Sequence, residues 1–308
     1  MKILVMGSGG VGGYFGGRLA GAGNDVTFVA RGAHLAAMKS NGLLLDSQLG
    51  NLTVNPVKVV DDPAKADRPD IVMFATKMTD AEGAAAQLAP VVGRGTLVIT
   101  FQNGVEAADI VKRVLPEAHV VPGVARIASH ISRPGVIEHR SQFARIEFGE
   151  PGGGHSPQLL AFHAVCKAAG IDAIVADNIQ RNVWLKFAML APFSGMTALT
   201  GHTSAPLREN PRTRALIEAA VHEVISVGAA VGGYLKPEDK AAVMKGLDNN
   251  PPAMTSSMAH DRRAGKPMEV EFLSGAVVRL GEKHGVATPT HKFIADALAL
   301  DAPGKPKD

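Results

Sequence analysis

Short apolar runs recur through the first 175 residues, separated by segments with helical or small-residue patterns. Each run has the length that is typical of a buried strand. The strand-like runs are 2–6, 25–30, 70–76, 96–101, 120–124 and 171–175, with further β segments at 42–46, 51–60, 136–139 and 144–149. Strands that alternate with helices predict an α/β fold with a doubly wound parallel sheet of the Rossmann type.

Beyond Asp177 the strand pattern disappears and helical patterns follow one another, at 177–190, 212–232, 236–246, 269–283 and 289–300. Asp177 is the expected N-cap of the first of these helices, and Pro192 is expected to end or kink it. We therefore predict a sheet domain over residues 1–177 and an all-α domain over residues 178–308. The glycine-rich break at 151–154 is not the boundary, because a helix at 157–169 and a strand at 171–175 still belong to the sheet domain.

The glycine motif G-x-G-x-x-G follows the first strand directly and opens a small-residue helix. In this setting the first glycine permits a tight turn, the second lets a pyrophosphate approach the backbone, and the third lets the helix pack on the strand. The simpler alternative is a glycine-rich turn in an ordinary α/β unit. The predicted dinucleotide-binding residues of this turn are Gly7, Ser8, Gly9, Gly10, Val11 and Gly12.

The end of the second strand favours NADP over NAD. An NAD site places a carboxylate about 20 residues after the glycines, whereas this strand ends in Ala30 and Arg31. A guanidinium binds the 2′-phosphate of NADP through a forked, charge-assisted hydrogen bond. A solvated surface arginine is the alternative for Arg31. Lys77 and the segment 102–104 follow two further strands, so we expect them in the same crevice as the glycine turn.

Composition excludes several functional classes. The chain has 308 residues, a formal charge of only +3 and 5% aromatic residues, so nothing predicts a surface for nucleic acid. No apolar run reaches the length of a membrane span and the N-terminus begins with a strand, so we expect a cytoplasmic protein. Cys166 is the only cysteine, and we predict a buried apolar role for it. No Cys/His spacing resembles a metal site, and we predict that no metal is needed.

Lys186 interrupts an apolar helical face that includes Ile179, Val183 and Leu190. Such a lysine either extends along apolar surface to solvent or lies desolvated at a site where it gives a proton to a carbonyl oxygen. The helical pattern alone favours the first. Glu269 begins the helix predicted after Pro267, where the helix dipole favours a carboxylate without any further role.

Together these residues resemble the 2-dehydropantoate 2-reductase (ketopantoate reductase) family, and the resemblance covers nearly the whole chain. It rests on the segment ILVMGSGGVGGYFGGRLA with Arg31, on Lys77, on Asn103-Gly104, on Trp-Leu-Lys at 184–186, and on Ser256-Ser257-Met258 followed by Glu269. The resemblance implies NADPH-dependent reduction of a branched 2-oxo acid to the 2-hydroxy acid, in pantothenate synthesis. It also implies a Rossmann domain and a helical domain with the site in the cleft between them.

The resemblance assigns roles to individual residues. It implies that Lys186 is the proton donor, that Glu269 pairs with cofactor or substrate, and that Ser257 binds substrate. Asn103 and Lys77 would line the nicotinamide side, with Asn103 also near the substrate. These implied roles reverse the preference that the helical pattern alone gives for Lys186.

Three positions depart from the family pattern, which has asparagines where this chain has Leu190, Ser194 and Ser204. The two serines remain candidate substrate-binding residues, whereas leucine cannot hydrogen-bond a substrate. The departure leaves open a reductase for a different 2-oxo acid or ketone. A non-catalytic NADP(H)-sensing protein is a further alternative, although a sensor needs neither Lys186 nor Glu269. Arg126 is either a binding group for a substrate carboxylate or a surface arginine, and a homodimer is possible.

Overall fold

The structure is a computed structural model that describes residues 1–305, and the chain divides into two compact units. The first unit comprises residues 1–102 and 107–179, and the second comprises 103–106 and 180–308. The elements of the first unit are β1 (Lys2–Met6), α1 (Gly10–Gly21), β2 (Asp25–Val29), α2 (Gly32–Asn41), β3 (Leu43–Ser47), β4 (Leu52–Val54), β5 (Lys58–Val60), β6 (Ile71–Phe74), α3 (Ala81–Leu88), β7 (Leu97–Thr100), α4 (Ala107–Val114), β8 (His119–Arg126), β9 (Ser129–Arg133), β10 (Val136–His139), β11 (Arg145–Phe148), α5 (Pro157–Ala168) and β12 (Asp172–Val175).

An eight-stranded sheet organises the first unit in the order β12-β11-β8-β7-β6-β1-β2-β5. All neighbouring strands are parallel except β8 and β11. The chain moves outward from β1 to β2 and β5 on one side, and then to β6, β7 and β8 on the other. The predicted doubly wound sheet is therefore confirmed, and its topological switch point lies between β1 and β6, where ligands bind in such folds.

A second, four-stranded sheet with the order β4-β3-β10-β9 is a feature that the sequence did not predict. Helix α1 packs closely against it at glycines. A Cβ at Gly13 would lie 2.8 Å from Ile137 Cγ1, and one at Gly17 would lie 3.0 Å from Leu45 Cδ1. The small residues of α1 therefore serve this contact as well as the dinucleotide motif.

The second unit is helical, and its described elements are α6 (Ile179–Thr200, whose first residue still falls in the first unit), α7 (Ser204–Glu209), α8 (Pro211–Gly232), α9 (Asp239–Asp248), α10 (Ser257–Arg263), α11 (Ser274–His284) and α12 (Pro289–Leu298). The prediction of a helical C-terminal part is confirmed. Within the described residues, α8 alone is long and apolar enough to cross a membrane by length and composition, which is weak evidence because core helices pass the same test. In the structure Val221 and Val224 of α8 are fully buried in the helical core.

Two details of the helical predictions were wrong. Helix α6 begins at Ile179, so Asp177 is not its N-cap, and the Asp177 carboxylate instead lies 3.4 Å from His155 Nε2. The same helix continues through Pro192 to Thr200, so the alternative in which the proline ends the helix was wrong. The side chains of Ala191 and Met196, on either side of the proline, are buried, so tertiary packing outweighs the poor helix propensity of proline.

Candidate active site

The three glycines of the motif have three different environments in the turn between β1 and α1. Gly7 has a φ of +101°, which favours glycine, and a Cβ there would lie 2.7 Å from Thr76 N. A Cβ at Gly12 would lie 2.9 Å from Val5 Cγ1 and would also overlap Gly7 O. Gly9, in contrast, has open space on its Cα. This is the geometry that a turn needs if a pyrophosphate is to approach its backbone at the middle glycine.

The first turn of α1 offers an anionic ligand backbone N–H groups rather than side chains. Its N-cap is Gly9, so no side chain caps the helix N-terminus. The Ser8 hydroxyl donates to Val29 O at 2.8 Å, so its proton is already used within the protein. Gly10 packs against Ser129 O, and Val11 is half-buried. Helix N–H groups and the positive end of the helix dipole make this a suitable position for the cofactor phosphates.

Two of the predicted cofactor-binding residues, Arg31 and Lys77, follow the ends of β2 and β6. Arg31 is exposed at the N-cap of α2, where its Nη2 donates to Gln87 Oε1 at 3.2 Å. Lys77 is exposed at the N-cap of the 3-10 turn Met78–Asp80. Both positions follow strands of the parallel sheet at their carboxyl ends, as the sequence predicted, and both side chains are accessible to an anion.

Lys186 and Asn103 form a direct hydrogen bond in the second unit. Lys186 Nζ donates to Asn103 Oδ1 at 2.8 Å, and both side chains are partly buried. Asn103 belongs to the second unit although it follows β7 closely in sequence. The lysine of the apolar stripe is therefore held by an amide from a distant segment of the chain, which the helical pattern could not show.

Glu269 directly precedes a turn that contacts the segment containing Asn103. A Cβ at Gly104 would lie 3.1 Å from Phe272 O, so the 103–104 segment packs on the 3-10 turn Val270–Phe272 that follows Glu269. Glu269 is only 7% exposed. The expected position of Glu269 at the start of the long helix was wrong, because buried Leu273 leaves the helical conformation, with φ −109° and ψ −93°, and α11 begins at Ser274.

The serines of the prediction lie in different surroundings. Ser194, on α6, is 1% exposed, and its Oγ has no hydrogen-bond partner within residues 1–305. Ser257 is exposed at the first position of α10, which Ser256 caps by accepting from Ala259 N at 3.1 Å. Ser204 is buried at the start of α7 and lines a cavity with Phe193, Leu207 and Arg208, and Lys186 does not line this cavity.

The Arg126 side chain is paired with a carboxylate of the protein, and the Cys166 side chain is buried. Arg126 Nε donates to Glu147 Oε1 at 3.0 Å, so its nearest carboxylate comes from the protein. Cys166 is fully buried, and burial raises the pKa of its thiol to about 12, so the predicted apolar role is confirmed. Within the described residues no group of three or more His, Cys, Asp or Glu side chains has an arrangement that could hold a metal ion.

Comparison with known proteins identifies the family. Residues 3–153 match the family model described as ketopantoate reductase PanE/ApbA, and residues 178–301 match its C-terminal model. A 2-dehydropantoate 2-reductase from Mesorhizobium japonicum is 33% identical and aligns over 97% of this chain and 96% of its own.

Solved structures agree with this match. A PanE/ApbA family ketopantoate reductase from Ralstonia eutropha JMP134 is 29% identical, has a TM-score of 0.90 and covers 98% of both chains. A D-mandelate dehydrogenase with NADH and anilino(oxo)acetate shares the fold, with a TM-score of 0.89 over 98% of both chains at 22% identity. The chain therefore belongs to the ketopantoate reductase family and is an oxidoreductase that depends on a nicotinamide dinucleotide.

Proposed function

We propose that this chain reduces the ketone of 2-dehydropantoate to the hydroxyl of pantoate with NADPH, as a cytoplasmic enzyme of pantothenate synthesis. The observation that carries the proposal is the hydrogen bond of 2.8 Å from Lys186 Nζ to Asn103 Oδ1. It orients an ammonium group through a neutral amide in a partly buried setting, which suits a residue that must give up a proton.

When bound, NADPH would supply the hydride that the carbonyl carbon takes up. Lys186 donates a proton to the carbonyl oxygen, which becomes the new hydroxyl. Asn103 fixes the position of the ammonium by accepting one of its N–H groups. Glu269 is proposed to contact cofactor or substrate, and Ser257 the substrate. The reaction needs no metal, because the lysine provides the electrophilic assistance at the carbonyl oxygen.

The proposal for NADPH rests on Arg31. Its side chain is an exposed cation that follows strand β2. No carboxylate lies between Val29 and Arg31 to bind a ribose 2′-hydroxyl. The backbone of residues 7–12 is proposed to bind the pyrophosphate, because Gly9 leaves open space there and α1 presents its N-terminus.

A reductase for a different 2-oxo acid is the second candidate. Leu190 lies one helical turn after Lys186 on the same face of α6, and it offers a substrate an apolar side chain instead of a hydrogen bond. The same fold also serves a D-mandelate dehydrogenase with NADH, so the fold by itself fixes neither the substrate nor the cofactor. A non-catalytic NADP(H)-sensing protein is a third candidate, which the Lys186–Asn103 pair disfavours.

The decrease in NADPH absorbance with 2-dehydropantoate and a panel of other 2-oxo acids tests the proposal. We expect 2-dehydropantoate to have the highest kcat/KM. A higher kcat/KM for another 2-oxo acid would favour the second candidate. Tight NADPH binding without turnover of any 2-oxo acid would favour the sensing protein.

A further inference from the structure

Two side chains at the carboxyl edge of the large sheet carry buried polar atoms that have no hydrogen-bond partner within residues 1–305. They are the Thr76 hydroxyl and the Gln102 carboxamide, in which both the oxygen and the nitrogen lack a partner. Gln102 is only 8% exposed. Unpaired buried polar groups are unfavourable and rare, so each of them requires an explanation.

The strand register places these two residues beside each other. Strands β6 and β7 pair in parallel, with Phe74 opposite Thr100, and Phe101 N donates to Phe74 O at 2.8 Å just past the last paired residues. Thr76 and Gln102 each lie two residues beyond that pair. Since both residues follow the last paired residues of neighbouring parallel strands by the same distance in sequence, we expect them to lie close together at the carboxyl edge of the sheet.

Both residues are next to groups already assigned to the candidate site. A Cβ at Gly7 would lie 2.7 Å from Thr76 N, so Thr76 adjoins the turn proposed to bind the pyrophosphate. Gln102 directly precedes Asn103, which accepts from Lys186 Nζ. A dinucleotide whose pyrophosphate binds at the N-terminus of α1 extends along this carboxyl edge of the sheet.

We propose that Thr76 and Gln102 bind the nicotinamide–ribose half of the dinucleotide. The carboxamide of Gln102 has an acceptor oxygen and a donor NH₂ group, which complement the NH₂ and C=O of the nicotinamide carboxamide. The Thr76 hydroxyl both donates and accepts, which complements a ribose hydroxyl. This inference rests on the cofactor of the proposed function, but it concerns a different part of the cofactor from the 2′-phosphate at Arg31.

The test compares the affinity for NADPH with the affinity for adenosine 2′,5′-bisphosphate, which lacks the nicotinamide and its ribose. Isothermal titration calorimetry would be performed on the full chain and on T76V, T76S and Q102M. We expect T76V and Q102M to bind NADPH about tenfold more weakly, because each loses hydrogen bonds to the ligand. T76S keeps the hydroxyl and should bind NADPH like the wild type, and all variants should keep their affinity for the bisphosphate.

The thermal midpoint of the ligand-free protein separates a binding role of these two side chains from a structural one. Because neither side chain has a partner within residues 1–305, T76V and Q102M should keep the wild-type midpoint, whereas a large decrease would show a structural role and overturn the inference. Unchanged NADPH affinity in both variants, or equal losses for NADPH and the bisphosphate, would also overturn it. Failure of the wild type itself to bind NADPH would instead contradict the cofactor of the proposed function, and this inference with it.

Discussion

In the glycine turn of the first unit the candidate chemistry belongs to the backbone, whereas at Lys186 in the second unit it belongs to side chains from distant segments. The turn at residues 7–12 depends on one positive φ, one close helix–strand contact and one open Cα, all within a few residues. Lys186 and Asn103 are 83 residues apart in the chain and meet through their side chains. A local sequence motif therefore describes the first arrangement, but only the fold creates the second.

This difference predicts that cofactor affinity and turnover depend on different residues. If the first unit binds the cofactor phosphates and Lys186 of the second supplies the proton, substitution of Lys186 should reduce turnover without changing cofactor affinity. Substitution of Arg31 at the end of β2 should change cofactor affinity without changing the rate of the chemical step. Substitutions that reduce turnover and cofactor affinity equally would contradict this prediction.

Removal of the Lys186 ammonium should have the largest effect. We expect Lys186→Ala to reduce kcat with the best 2-oxo acid by about 10³-fold, in the range for loss of a general acid, with the Kd for NADPH within about twofold of wild type. Lys292→Ala is the matched control, because Lys292 is an exposed lysine of the same unit that pairs with Asp296. Unchanged turnover in Lys186→Ala, measured by NADPH absorbance, would refute the role of Lys186.

Removal of the Arg31 guanidinium should affect the cofactor and not the chemistry. Loss of a charge-assisted bond to a phosphate costs about 2 kcal/mol, so Arg31→Ala should bind NADPH roughly 30-fold more weakly and NADH about as before. Arg94→Ala is the control, because Arg94 is an exposed arginine of the first unit that pairs with Glu117. Equal losses for NADPH and NADH would show that Arg31 does not recognise the 2′-phosphate.

Sequence reasoning succeeded where the signal is local. The order of strands and helices follows from short apolar runs, and the glycine turn follows from the spacing of Gly7, Gly9 and Gly12. The four-stranded sheet was missed because its central pair joins Leu44 with Val136, and no local pattern identifies a partner at that separation. The Lys186–Asn103 contact was invisible to helical periodicity for the same reason.

A buried histidine gives the second unit a pH dependence of its own. His291 is fully buried, with Nδ1 3.1 Å from Ser274 Oγ and Nε2 3.1 Å from Ala220 O. Glu223 accepts the N–H groups of Thr290 and His291 at the start of α12. Burial lowers the pKa of His291 to about 4, although the Glu223 charge opposes this shift.

The sign of the effect follows from linkage. The unfolded chain takes up a proton at a pKa of about 6.5, whereas the folded unit resists it down to a pKa of about 4, so stability decreases as the pH falls between these values. Between pH 7 and pH 5.5 the loss is about 1 kcal/mol for this one group.

The single tryptophan, Trp184, is buried in the helical core and therefore reports the unfolding of the second unit by its fluorescence. We expect the urea midpoint measured by Trp184 to decrease from pH 7 to pH 5.5 in the wild type and to decrease less in His291→Gln, which keeps a donor and an acceptor without a titrating ring. His284→Gln, an exposed change on α11, should keep the wild-type decrease. An identical decrease in His291→Gln would show that protonation of other groups, and not of His291, lowers the stability of the helical unit at acid pH.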